Sequence, residues 1–357
     1  MVELLVLVLA FVIILAGAEL FTNGIEWFGR KLELAEGAVG SVLAAVGTAL
    51  PETMIPIIAI LFASGASSHE VGVGAILGAP FMLATLAMFV TGVAVLYAAR
   101  HRTTGDTMKV DTRVLAHDMR YFAIAYALAI GAAFLPVEPV QLKWIVAALL
   151  IGIYAWYVKG HFEEDPDVDV EDLAPLRFHR LDRKAHRVEP KVPRLRVVNV
   201  QVIFALGLIV LGAVFFVDAV SKIAADLGVD STLLALVIAP IATELPEKFN
   251  SIIWVRQGKD TLAMGNITGA MVFQSTIPTV VALVFASSTW VVGEGSYVAF
   301  ASAGIAFLSS AFIFIPMARQ GVLHGKGLLV GGFFYLIYIA LVLGVISGAF
   351  GGASATH

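Results

Sequence analysis

The chain contains no cysteine. That excludes a disulfide framework, a thiolate nucleophile and any zinc–cysteine or iron–sulfur centre. Charge is scarce as well: 14% of the 357 residues are Asp, Glu, Lys or Arg, against about 25% in a soluble domain. Hydrophobic residues make up 59% and the mean hydropathy is +0.90. No single globular core can hide that much apolar surface, so a soluble enzyme, a nucleic-acid binder and a disordered chain are excluded. Catalytic signatures are missing too. His69-Glu70 lacks the second histidine of a zincin helix. There is no P-loop, and no G-x-S-x-G elbow stands within a span.

Long apolar runs are what the chain has. Stretches long enough to cross about 30 Å of hydrocarbon recur at roughly 2–22, 38–64, 71–99, 116–135, 140–158, 198–219, 231–255, 261–287, 296–317 and 326–348. The fourth is the weakest, because it starts at the polar His117-Asp118-Met119-Arg120. The expected fold class is an all-α polytopic membrane protein with ten transmembrane helices. No cleavable signal is expected. With the N-terminus outside, 20 of the 23 Lys and Arg fall on the inner side. Only Lys143 and Lys222 fall outside, and Lys248 lies within a span. This is a strong positive-inside bias, and it places the C-terminus outside as well.

Residues 160–197 break the pattern. They begin acidic at Glu163-Glu164-Asp165 and turn basic at Arg180 to Lys184. They read as a cytoplasmic linker, solvated or in contact with lipid headgroups. The segments on either side match each other. Gly17-Ala18 aligns with Gly212-Ala213, and Thr48-Ala49-Leu50-Pro51-Glu52 with Thr243-Glu244-Leu245-Pro246-Glu247, both at an offset of 195. Gly74 to Ala79 aligns with Gly265 to Ala270 at 191. The domains are therefore expected as residues 1–159, a first five-helix repeat; 160–197, the linker; and 198–357, a second repeat. An odd number of spans per repeat inverts the second copy. Inverted repeats typify secondary transporters, whose sites lie at the midplane.

The matched segments carry the polar residues. Glu52 and Glu247 lie mid-span, each after a proline, where a charge costs at least about 2.5–3.5 kcal/mol. Pro51 and Pro246 cannot donate to the carbonyls of Gly47 and Ala242. The loosened turns should direct backbone oxygens, with those of Thr48 and Thr243 among them, toward the site. Two bidentate carboxylates and two carbonyls supply about six oxygens, a set that suits calcium. Glu244 and Lys248 replace Ala49 and Thr53 of the first half. Two readings stand: they form a neutral i,i+4 pair, or Glu244 is itself a ligand. Gln274 is a site residue or an interhelical hydrogen-bond partner, and Asn266 is equally divided. Gly74, Gly78, Gly265 and Gly269 should permit close helix approach. Glu19, Asn23 and Asp218, near span ends, read chiefly as structural.

The blocks around Glu52 and Glu247, with Gly265-Asn266-Ile267-Thr268-Gly269 and the Gly-Ala-x-x-Phe segments of the first and sixth spans, resemble the α-repeats of the sodium/calcium exchanger family. The resemblance covers nearly the whole chain. It implies alternating access, with the first and sixth spans sliding over an ion-holding core. It implies that Glu52 and Glu247 are central calcium and sodium ligands, and that Thr48 and Thr243 supply carbonyls. The chain departs from the family at Ala49, Ala79, Ala270, Leu83 and Gln274, where hydroxyl, amide or acidic side chains are usual. The expected activity is sodium-driven, or alternatively proton-driven, calcium antiport in a cell membrane, by a monomer and without a chemical reaction. A channel and an intramembrane enzyme are the rivals from other classes. The partners are inorganic cations and the bilayer, nucleic acid is not one of them, and no cofactor is implied.

Overall fold

The structure, a computed structural model, describes residues 2–31, 50–63, 66–164, 175–181, 193–228, 232–236, 252, 254–256, 258, 260–293 and 296–346. Within them the chain is helical almost throughout. Helix α1 covers Val2–Lys31 and α2 Leu50–Leu61. Helix α3, Ala66–Met82, continues through a π-helical turn, Leu83–Ala87, into α4, Met88–Ala98. After them come α5 (Thr112–Gly131), α6 (Gln141–Glu164), α7 (Leu195–Leu227), α8 (Asp260–Phe285) and α9 (Tyr297–Gln320). The short α10 (Gly325–Leu328) leads into α11 (Val330–Ile346). Two dipeptide strands, β1 (Thr107–Met108) and β2 (Leu323–His324), pair antiparallel with Thr107 opposite His324.

Among the described residues, seven stretches are long and apolar enough to cross a membrane: Val2–Phe21, Ser68–Ala98, Gln141–Gly160, Leu195–Leu227, Ala263–Phe285, Tyr297–Gln320 and Gly325–Val345. Large side chains such as Phe204, Phe215, Trp156, Phe333 and Leu336 are exposed along them, as a lipid environment permits. Burial separates centre from periphery. The α3–α4 stretch is 83% buried, whereas those of α1, α6 and α11 are 28% buried. Nine of the ten expected spans have a described helix. The second is described from Leu50, and most of the seventh lies outside the described residues. Helix α5 exists but is not among the seven, because Arg113, Asp118 and Arg120 interrupt it.

Contacts define two ends. At one, Arg102 of the α4–α5 loop forms a bidentate pair with Asp260 at the start of α8, at 2.8 and 2.5 Å. The same guanidinium donates to the carbonyl of Val255, the Lys109 amide donates to Asp260, and the β1–β2 pair lies alongside. At the other end of α5, the Val292 amide donates to Ala133 O at 3.1 Å and Trp290 Nε1 to Ala129 O at 2.9 Å. There Lys143, with no exposed surface, donates to the carbonyls of Ser287 and Trp290 at 2.6 and 2.9 Å. It therefore satisfies backbone oxygens beyond the C-terminus of α8, where positive charge is favoured. Lys222, the second cation outside the charge rule, pairs with Asp218 at 2.7 Å.

Helices α1 and α7 pack antiparallel. A methyl group on Gly17 would lie 2.8 Å from Ile209 Cγ1 and 3.0 Å from Ala205 O. One on Gly212 would lie 2.6 Å from Ile14 Cγ1 and 3.1 Å from Ala10 O. The larger apolar core joins α3, α4, α5, α8, α9 and α11 around Phe81, Phe122, Tyr126, Trp290 and Tyr338.

The linker is not wholly solvated. Residues 175–181 dock on the α1–α7 pair, because Leu176 and Phe178 pack with Trp27 and Val198. Asn23 Oδ1 accepts from the Arg177 amide and from Gln201 Nε2, both at 3.0 Å. Glu19 pairs with Arg177 at 2.8 Å. Glu19, Asn23 and Asp218 thus hold structural contacts.

Candidate cation site

Helix α2 carries Glu52 in its first described turn. The helix is packed on several sides, against α3, α7 and α8. Glu52 and its neighbour Thr53 are 6% and 5% exposed. On the same helix Ile55 and Ile58 join Val71 of α3 in a buried apolar cluster. Close approach is visible on α3. A methyl group on Gly72 would lie 2.8 Å from Ile60, and one on Gly74 only 2.2 Å from the carbonyl oxygen of Thr232. The first half of the expected small-residue pattern is therefore used for contact. In the second half a methyl on Gly269 would press on the Tyr157 hydroxyl at 3.3 Å, whereas one on Gly265 would meet open space among the described residues.

Gln274 lies on α8 and is 2% exposed. Its helix touches both α2 and α3, so Glu52 and Gln274 belong to the same packed group of helices. The neighbouring hydroxyls are turned back on their own backbone, with Ser275 Oγ and Thr276 Oγ1 each donating to Val272 O at 2.9 Å. Asn266 is half-buried and sits eight residues before Gln274, about 12 Å along the axis. It therefore occupies a different depth. Thr48, Thr243, Glu244 and Glu247 lie outside the described residues, as does Lys248. Among the described residues no three acidic or histidine side chains surround a common point.

The π-helical turn follows α3 and meets α8, α9 and α11. Pro80 offers no amide to the α3 ladder, and the wider turn that follows leaves carbonyls to be satisfied from other helices. Ser309 of α9 donates to Ala84 O at 2.6 Å. Gly331 of α11 lets that helix approach the carbonyl of Thr85, which a methyl group would meet at 2.3 Å. Leu83, one of the departures from the family pattern, begins this turn and is 1% exposed.

A second buried acid was overlooked in the sequence. Asp118 of α5, 1% exposed, accepts from the Tyr157 hydroxyl of α6 at 3.0 Å and from Thr268 Oγ1 of α8 at 2.5 Å. The signal in the sequence is an acid inside an apolar span, next to the polar start at His117.

Comparison with known proteins bears on these helices together. The family described as sodium/calcium exchanger protein matches residues 2–160 and 198–346. A proposed antiporter of Alkalimonas amylolytica, CaxA, is 24% identical over 265 residues, 73% of this chain and 74% of that protein. The sodium/calcium exchanger MaX1 of Methanosarcina acetivorans is 25% identical over 285 residues, 75% and 79% of the two chains. The crystal structure of an H+/Ca2+ exchanger, CAX, matches with a TM-score of 0.72 at 16% identity, over 98% of this chain and 85% of that one. A structure of the sodium–calcium exchanger NCX_Mj matches with 0.55 at 18% identity, over 95% and 97%. At such identities these structures establish the fold.

Proposed function

The chain belongs to the sodium/calcium exchanger protein family, and from that premise we propose that it is a secondary active antiporter. It exchanges calcium for a counter-ion across a cell membrane by alternating access. The observation that carries this reading is the buried Glu52 carboxylate, held among α2, α3 and α8 in a protein of that family. An intramembrane acid marks an ion pathway by default. Glu247 is its repeat partner. With the carbonyls of Thr48 and Thr243 they make an oxygen cage for a divalent cation, which Gln274 borders. Glu244 adds a ligand or pairs with Lys248, and Asn266 lies on the approach.

The halves 1–159 and 198–357 act as inverted five-helix repeats around a pseudo-twofold axis. The reciprocal seating of Gly17 and Gly212 supports this. In this arrangement the Arg102–Asp260 end faces inward and both termini face outward, and the protein works as a monomer. Sodium is the counter-ion of the first reading, since the family description names it. Proton coupling is the second, favoured by the likeness to the H+/Ca2+ exchanger fold.

Calcium uptake into proteoliposomes under imposed sodium or proton gradients tests the proposal. Uptake that requires one of the two gradients is expected. Calcium flux that follows voltage alone, without a counter-ion, would make the protein a channel.

A further inference from the structure

Two amide side chains, one from each helix of the α1–α7 pair, meet beneath the linker. Gln201 of α7 has no exposed surface, and Asn23 of α1 is 6% exposed. Gln201 Nε2 donates to Asn23 Oδ1 at 3.0 Å and to the backbone oxygen of Leu20 at 2.8 Å. Gln201 Oε1 accepts from the Phe178 amide at 2.8 Å, and Asn23 Oδ1 accepts from the Arg177 amide at 3.0 Å. Two consecutive linker amides thus end on the two side chains that join the helices. Without the segment Gln201 Oε1 would lose its donor, and a buried oxygen left without one carries its full desolvation cost.

The segment also covers the pair with apolar side chains. Leu176 packs with Trp27 of α1 and Val198 of α7, and the Phe178 ring lies 5.6 Å from that of Phe204. This small cluster draws on α1, α7 and the linker, and it is separate from the larger core around Phe81 and Phe122. Residues 175–181 therefore ride on the α1–α7 pair.

Gly17 and Gly212 bring the two helices together at one crossing. Asn23 lies six residues beyond Gly17, about 9 Å along the axis. Helices held at a crossing alone can pivot about it, and a second attachment at a distance fixes the angle between them. The repeat does not copy this attachment to the opposite end. At the offset of 195, Gln201 corresponds to Val6 and Asn23 to Asp218. Asp218 is exposed and pairs with Lys222 of its own helix. The twofold pattern of the pair is thus broken where the linker docks.

We propose that residues 175–181 are a clasp of the transport cycle. Seated on Asn23 and Gln201, they hold α1 to α7 at the linker end, so that the two helices shift against the rest of the protein as one piece. The clasp positions helices and does not bind the transported ion. The inference rests on the reading of the chain as an alternating-access antiporter.

The test measures calcium uptake by the full-length protein in proteoliposomes, over a range of calcium concentrations. Equal amounts of the monodisperse fraction are reconstituted, so that rates are per folded molecule. Gln201→Leu removes the amide and keeps most of its volume. Losing hydrogen bonds of this kind should lower the maximal rate about tenfold. The half-saturating calcium concentration should not move, because the cation site is untouched. Should that variant fail to fold, Phe178→Ala opens the clasp from the linker side and takes its place. A cross-link supplies the second arm. A methyl group on Gly24 would lie 2.8 Å from Val202 Cγ2, so Gly24→Cys/Val202→Cys sets two thiols side by side at the depth of the clasp. The chain has no other cysteine, and diamide oxidises the pair to a disulfide. The oxidised protein should exchange calcium as fast as its own reduced form, and the same cross-link should restore the rate of the opened clasp. Exchange that stops on oxidation would mean that α1 and α7 must part, and would overturn the proposal. So would native rates per molecule in the opened variants, or a slow variant that the cross-link leaves slow. Each of these results leaves antiport standing. No calcium movement by the unmodified protein under a sodium or a proton gradient would take the antiport reading down as well.

Discussion

Gly17 and Gly212 are reciprocal: each seats the isoleucine that the opposite helix carries three residues before its own glycine. Ala10 and Ala205 supply the backbone oxygens on the two sides, and all three pairs are related by the same offset of 195 that aligns the repeats. An antiparallel crossing with this property has a local twofold axis between Gly17 and Gly212.

That axis makes a stability prediction. Gly17→Ala and Gly212→Ala each press a methyl group against an isoleucine side chain and a carbonyl oxygen. Overpacking of this kind costs about 1–3 kcal/mol. Thermal melts in detergent should show similar losses for the two variants. Ile209→Ala, which removes the Cγ1 that the new methyl group would meet, should couple favourably with Gly17→Ala and not with Gly212→Ala.

Glu52 makes a functional one. Glu52→Gln keeps the shape of the side chain and removes its charge, so the cage no longer balances a divalent cation. Calcium exchange should fall to background while the melting temperature stays near that of the unmodified protein. The same is expected of Glu247→Gln. Near-normal exchange by either variant would remove the pair from the site.

Arg102 and Asp260 are 3% and 1% exposed. Removing one partner strands the other charge, which commonly costs about 3–5 kcal/mol. Arg102→Met should therefore melt far earlier than the unmodified protein. Arg319→Met, a change to an exposed cation on the same face, should leave the melt unchanged.

The two readings of Glu244 separate in three proteins. If Lys248 neutralises Glu244, Lys248→Met is destabilised and Glu244→Gln/Lys248→Met recovers. If Glu244 is a ligand, Lys248→Met is silent, Glu244→Gln weakens calcium binding, and the double variant matches that single one. Melting and calcium uptake measured side by side distinguish them.

The spans were legible because an apolar run of sufficient length has few alternatives to a helix, and Glu52 was legible because an acid after a proline is costly inside such a run. Family membership was legible from the paired Pro-Glu blocks. The contacts of Asp118 were not, since its partners stand 39 and 150 residues away and nothing local in the sequence pairs them. The same holds for Lys143, which binds carbonyls 144 and 147 residues further on. A charge count can place such a lysine outside but cannot bury it. The π-helical turn at Leu83 escaped as well, because it depends on Ser309 and Gly331 from other helices. Glycine spacing predicted contact equally at Gly74 and Gly265, yet only Gly74 has a backbone against it. Small size permits an approach without requiring one.

The Arg102–Asp260 clasp also sets an order of assembly. Arg102 leaves the ribosome 158 residues ahead of its partner. During that interval its guanidinium lacks the carboxylate that it finally holds. Once α8 arrives, the same group is withdrawn from water and locks the later half onto the earlier one. A residue that begins as an unpaired loop cation on the growing chain thus ends as the catch that closes the finished bundle.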